Sequence, residues 1–138
     1  MLPDKIELEV VTPQRLVLHE DVESVELPGR DGYLGVLPGH APLLTELGIG
    51  ALTYRANGQA HLLTVMEGYS EVLPDRVIVL AEVSERANEI DVERSQAALK
   101  RAQERVAKTG SPDVDWKRAQ SALERAMVRI HVASKTGS

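Results

Sequence analysis

The amino-acid sequence predicts an α+β chain, in which an N-terminal antiparallel β-sandwich over residues 1–88 precedes a C-terminal antiparallel two-helix hairpin over residues 89–138. Three observations carry this. Apolar residues alternate with period two, broken by turn residues, over residues 5–83; the period then lengthens to that of a helix; and the charge divides at the same place. Residues 1–88 hold six Lys/Arg against fourteen Asp/Glu, a net of −8, and residues 89–138 hold ten against seven, a net of +3, which sum to the chain's −5. An acidic body with a basic tail describes two units that meet different partners or attract one another.

Taken in order, Ile6, Leu8 and Val10 alternate with Glu7 and Glu9, the pattern of a strand with one wet face. Val22, Val25 and Leu27 lie among Glu23, Ser24 and Glu26 and stop at Pro28-Gly29, which reads the same way. The strongest hairpin signal is residues 52–56 leading through Asn57-Gly58 into residues 59–66, because Asn-Gly supplies the two positive φ angles of a type I′ turn. Residues 69–73 turn at Pro74-Asp75 into residues 77–83, with proline presetting φ. Asp91 then caps a helix whose apolar positions Val92, Ala98, Leu99, Ala102 and Val106 recur at helical spacing, and Gly110 stops it. After the break Ser111-Pro112-Asp113, a second helix begins near Asp113 and carries Trp116, Ala119, Leu123, Ala126, Met127 and Ile130 on one face. The short connection makes the two helices antiparallel. Their alanine-rich seam buries little apolar area, so the hairpin needs a surface to lean on and is expected to be mobile.

Composition excludes several functions. The chain has no cysteine, which removes disulfides, thiolate metal sites and a cysteine nucleophile. With one Trp, three Tyr and no Phe, it has no platform for stacking bases, and no nucleic acid partner is expected. No run reaches the roughly 18 apolar residues of a membrane span, and the N-terminus does not resemble a signal peptide, so a cytosolic chain is expected. His19, His40, His61 and His131 are dispersed without metal-ligand spacing, and no metal is expected. The glycines of PGRDGYLGVLPG lack a following Gly-Lys-Ser/Thr and read as turns rather than a phosphate loop. No nucleophile or acid/base pair can be assembled, so no catalytic residue is assigned.

The helical half carries two arginine stripes, Arg94, Arg101 and Arg105 on the first helix and Arg118, Arg125 and Arg129 on the second. They fit a solvated face, a set of guanidinium forks converging on phosphate oxygens, or a basic face that docks on an acidic protein. In the second case Asp91 would accept from a ribose hydroxyl or an exocyclic amine.

The segment LPGRDGYLGVLPGHAPLLTELGIG, residues 27–50, closely resembles the signature of the epsilon subunit of the bacterial F-type ATP synthase, and LAEVSERANEIDVERS, residues 80–95, resembles that family's junction between sandwich and helices. The resemblance spans nearly the whole chain. It implies a non-catalytic subunit of the rotating central stalk, coupling proton flow to ATP synthesis at the cytoplasmic face of a bacterial plasma membrane, with membrane contact only through the complex. It further implies that Arg30, Asp31, Gly32 and Tyr33 face the ring of c subunits and that Thr12, His40 and Thr45 lie where the sandwich meets the gamma subunit. Tyr33 stands where the family often has an acidic residue.

In this family the helical half has two conformations. Folded down, it packs on the sandwich; extended along gamma, its basic second helix reaches the catalytic beta and alpha subunits and blocks rotation in the hydrolysis direction. The resemblance requires no cofactor but implies ATP as a regulatory ligand of the folded-down state, through a motif Ile/Leu-Asp-x-x-Arg-Ala. Here that motif reads Ile90-Asp91-Val92-Glu93-Arg94-Ser95, with Ser95 replacing alanine, and Glu85, Arg101, Arg125 and Arg129 match the further positions. The Ser95 hydroxyl is expected either to crowd the base or to accept a hydrogen bond. A free-standing ATP-binding sensor, with no rotor involved, is the alternative function.

Overall fold

A computed structural model describes residues 3–108, 110, 112 and 115–135. Seven strands come first: β1 Ile6–Val11, β2 Leu16–Val22, β3 Ser24–Gly29, β4 Gly32–Val36, β5 Leu43–Ala56, β6 Gln59–Leu73 and β7 Arg76–Arg86. A 3-10 turn, Ala87–Glu89, leads into helices α1 Val92–Ala107 and α2 Trp116–Ser134. The strands run in the order β2-β1-β7-β6-β5-β3-β4, with every pairing antiparallel except β1 beside β7. Strands from both ends of this order share one dry core, which includes Ile6, Leu8 and Val10 of β1, Val25 and Leu27 of β3, and Leu52 and Leu63 of the β5–β6 pair. The sheet therefore closes on itself as a sandwich, and the α+β architecture expected from the two periods is the one observed.

Local chemistry accounts for the turns. Asn57 and Gly58 have φ of 54° and 76°, the left-handed pair that joins β5 to β6 with Ala56 opposite Gln59. β6 and β7 meet across Pro74-Asp75 with Leu73 opposite Arg76. Two readings change. The segment from Val22 to Leu27 is not one strand: Val22 ends β2, Ser24 starts β3, and the intervening Glu23 donates its N–H to the Arg55 carbonyl. The glycine-rich stretch after Gly29 is not turn alone, since Gly32–Val36 forms the edge strand β4, paired with β3.

The helices begin and end where capping groups allow. The Asp91 carboxylate accepts the Arg94 N–H at 3.0 Å, and α1 stops at Ala107, before Gly110. Asp115 caps α2, accepting the Arg118 N–H at 3.1 Å, so the helix starts at Trp116. Ser111, Asp113 and Thr136–Ser138 lie outside the described residues. Burial on α2 also departs from the single expected face. Ala119, Ala126, Val128 and Val132 are buried, while Trp116 and Met127 are exposed. The helix is covered on two sides, because α2 lies against both α1 and the sheet. Val128 and Val132 pack with Ala51 and Met66 of the β5–β6 pair in a second apolar cluster, flanked by Ile49, Leu62, Ala87 and Ile90.

β6 kinks at Glu67-Gly68, where both residues take positive φ, 59° and 139°. At Gly68 a Cβ would collide with the Leu80 carbonyl oxygen and come within 2.9 Å of the Ala81 Cα, both backbone atoms of β7. Gly68→Ala is therefore expected to cost at least about 2 kcal/mol through the clash and the strained φ together, read as a lowered urea midpoint.

Candidate functional site

A cavity of about 380 Å³ lies between the end of the sandwich and the facing sides of both helices. Its walls are Glu85 at the end of β7, Glu89, Ile90 and Asp91 in the linker, Arg94, Ser95, Ala98 and Arg101 on α1, and Ala122, Arg125, Ala126 and Arg129 on α2. Glu85, Ile90, Asp91, Arg94, Arg101, Arg125 and Arg129, expected from the family motif, thus all line one space. The helical repeat explains the arginines: Arg94 and Arg101 are seven residues apart and Arg125 and Arg129 four, so each pair shares one face of its helix. Arg105 and Arg118 do not line the cavity, so each stripe contributes two of its three guanidinium groups.

The carboxylates of the site are engaged. Arg129 Nε donates to Glu85 Oε1 at 2.9 Å and Oε2 at 3.3 Å, joining α2 to β7. Asp91 serves as the α1 cap. Glu89 is gripped by Arg15 from the β1–β2 turn at 2.7 and 2.8 Å and also accepts the Arg86 N–H at 2.7 Å. The hydrogen bond from Arg15 holds the Glu89 carboxyl below the usual carboxylate range, while the same pairing raises Arg15. Among the described residues Arg94, Arg101 and Arg125 have no ion-pair partner. Three uncompensated guanidinium forks around a cavity with small alanine walls fit a multiply charged oxyanion.

Ser95 lines the cavity and is engaged within its own helix. Its buried hydroxyl donates back to the Asp91 carbonyl at 2.9 Å, within the first turn of α1. Glu89, Arg15 and Arg86 escaped the sequence reading. Arg15 and Glu89 are 74 positions apart, and no local pattern connects them.

The residues expected to meet partners fall in separate places. Arg30, Asp31, Gly32, Tyr33 and Thr45 line a shallow depression of about 290 Å³ at the β3–β4 turn. Arg30 bonds Glu46 at 2.6 Å, and the exposed Tyr33 accepts the Ala51 N–H through its hydroxyl at 3.2 Å. Thr12 is buried in the β1–β2 turn, and His40 sits on the β4–β5 connection, its Nδ1 2.6 Å from the Ala41 carbonyl. Among the described residues no hydrogen bond joins Thr12, His40 and Thr45. No group of three or more His, Asp or Glu side chains is placed to hold a metal, and no helix is long and apolar enough to cross a membrane, again among the described residues.

Glu89 gives a pH signature. Because its carboxyl is depressed in the folded chain, the stability it contributes is present above the ordinary carboxylate value and is lost as pH falls through the depressed one. A Glu89→Gln variant is expected to melt below the wild type at pH 7 and to converge with it below the ordinary carboxylate range, measured by circular dichroism melts across pH.

Comparison with known proteins agrees with this architecture. The family model for the ATP synthase delta/epsilon chain beta-sandwich domain matches residues 5–87, and that for the long alpha-helix domain matches residues 88–134. The ATP synthase epsilon chain of Thermodesulfovibrio yellowstonii is 53% identical over 136 residues, covering 97% of each chain. That of Geotalea daltonii is 45% identical over 136 residues, covering 99% of each. Among solved structures, a chain of the Euglena gracilis mitochondrial ATP synthase OSCP/F1/c-ring assembly superposes with a TM-score of 0.81 at 23% identity, covering 97% of this chain and 84% of that one. A chain from the central stalk and c-ring of the Tetrahymena thermophila enzyme gives a TM-score of 0.57 at 16% identity, with 97% of each covered. By sandwich, helices and sequence together, the chain belongs to the ATP synthase delta/epsilon family, as an epsilon chain.

Proposed function

We propose that this epsilon chain is a non-catalytic rotor subunit of the central stalk, at the cytoplasmic face of a bacterial membrane, and that its helical hairpin is an ATP-sensitive brake on hydrolysis. The sandwich would dock on the gamma subunit and the c ring. Supporting that part is a row of exposed apolar side chains across adjacent strands: Leu16 of β2 faces Val11 of β1, which faces Leu80 of β7, which faces Tyr69 of β6. Leu16, Leu80 and Tyr69 are each more than half exposed, at 54, 56 and 55%, an unusual run for a surface with no partner. The turn at Arg30, Asp31, Gly32 and Tyr33 supplies the polar contact to the c ring.

The observation that carries the regulatory part is the division of the cavity. Its guanidinium groups come from both helices, while Glu85 and Ile90 come from the end of the sandwich and the linker. A triphosphate held by Arg94, Arg101 and Arg125 binds only when all three parts are together. It therefore stabilises the folded-down hairpin by its differential affinity for that state. At a ligand concentration one hundred times Kd the bias is about 2.7 kcal/mol, enough to hold a marginal hairpin down. When ATP is scarce, the released hairpin would extend along gamma toward the beta and alpha subunits and block hydrolysis.

Two measurements test this. In titration calorimetry ATP is expected to bind the wild-type chain, and Arg94→Ala or Arg125→Ala to abolish the heat; absent wild-type binding, or unchanged affinity in both variants, removes the ligand from the proposal. In the assembled complex, a chain ending at Asn88 is expected to let ATP hydrolysis run faster than the full chain does. Equal rates would remove the brake.

A further inference from the structure

One polar residue lies where the hairpin docks and has no part in the functions above. Thr64, on β6, is fully buried, and its strand neighbours Ala51 and Met66 belong to the apolar cluster that receives Val128 and Val132 of α2. A hydroxyl in such a place costs free energy unless it is partnered, and a valine would fill the same volume without that cost. Thr64 is doubly partnered, and both bonds go to one residue. Its hydroxyl donates to Glu85 Oε1 at 3.0 Å and accepts the Glu85 N–H at 2.9 Å, across the β6–β7 pair in which the two residues stand opposite. The same Oε1 receives Arg129 Nε from α2.

We propose that Thr64 is the positioning residue of the hairpin latch. Its hydroxyl fixes the Glu85 carboxylate in the orientation that accepts Arg129, and so sets how firmly α2 stays docked. The bond from Thr64 to Glu85 lies wholly within the sandwich, so it persists when the hairpin leaves. Glu85 then waits already oriented, and redocking orders only the Arg129 side chain. The effect on ATP affinity rests on the regulatory reading above, but the effect on docking does not.

The test uses the full-length chain with Thr64→Val, Thr64→Ala and Thr64→Ser, read first by amide hydrogen exchange without nucleotide. Thr64→Val and Thr64→Ala are expected to speed exchange across residues 116–134 by about tenfold or more, with β1–β4 unchanged as the control for folding. Thr64→Ser, which keeps the hydroxyl, is expected within about threefold of wild type. Glu85→Gln should have a smaller effect in the Thr64→Val background than in wild type, because the two changes break one unit. In a second arm, ATP affinity by calorimetry should fall in the same order. Unchanged exchange in Thr64→Val and Thr64→Ala overturns the proposal, as does a Thr64→Ser variant as impaired as Thr64→Val, which would make packing the cause. If Thr64→Val unfolds globally, Thr64→Ala against Thr64→Ser decides by the same criteria. Failure of the wild-type chain to bind ATP would end the regulatory reading and leave the exchange result to judge Thr64 alone.

Discussion

The site depends on a helix that has little to hold on with. α2 meets the sheet through Val128 and Val132 against Ala51 and Met66, also lies against α1, and has Ala119 and Ala126 as its other buried residues. Alanine permits close approach but buries little area, and at roughly 25 cal/mol per Å² such contacts hold a helix less firmly than a leucine seam would. The Glu85–Arg129 ion pair adds a polar contact at the edge of this patch, with both side chains partly buried. The cavity is walled by the same elements that this contact brings together: the end of β7, the linker and both helices.

The two halves of the chain are held together differently. The sandwich has a continuous dry core, in which Ile6, Leu8, Val10, Leu27, Leu52, Leu63 and Val79 are all but completely buried. The hairpin rests on a smaller contact of alanine and valine side chains, with the Glu85–Arg129 pair beside it. The change of sign in net charge between residues 1–88 and 89–138 belongs to the same division. An acidic body attracts a basic hairpin weakly and over a distance that salt shortens, without locking it.

How much of this was legible in the sequence depended on how local the cause was. Asn57-Gly58 declared its turn because the backbone geometry is set by the two residues themselves. Asp91 declared its helix for the same reason. The second helix, expected to begin near Asp113, starts at Trp116 behind the Asp115 cap, because two aspartates stand there and the pattern does not choose between them. Val128 and Val132 were missed because a one-face reading of α2 cannot anticipate a helix covered on two sides. In the site, Glu85 and Arg129 are 44 positions apart and came from the family motif, not from periodicity. Arg15 and Thr64 gave no signal, since one looks like a turn cation and the other like an ordinary β-branched strand residue.

The grip of Arg15 on Glu89 also fixes how the helices are attached to the sandwich. The 3-10 turn is fastened to the sandwich through Glu89, and α1 begins at Val92. Between them lie Ile90 and Asp91, both extended, with φ and ψ of −88° and 126° and of −81° and 101°. With two soft torsions per residue, the direction in which α1 leaves the turn is set by these four angles. The helices are thus joined to the sandwich by two extended residues, beside a charged pair whose members stand 74 positions apart in sequence.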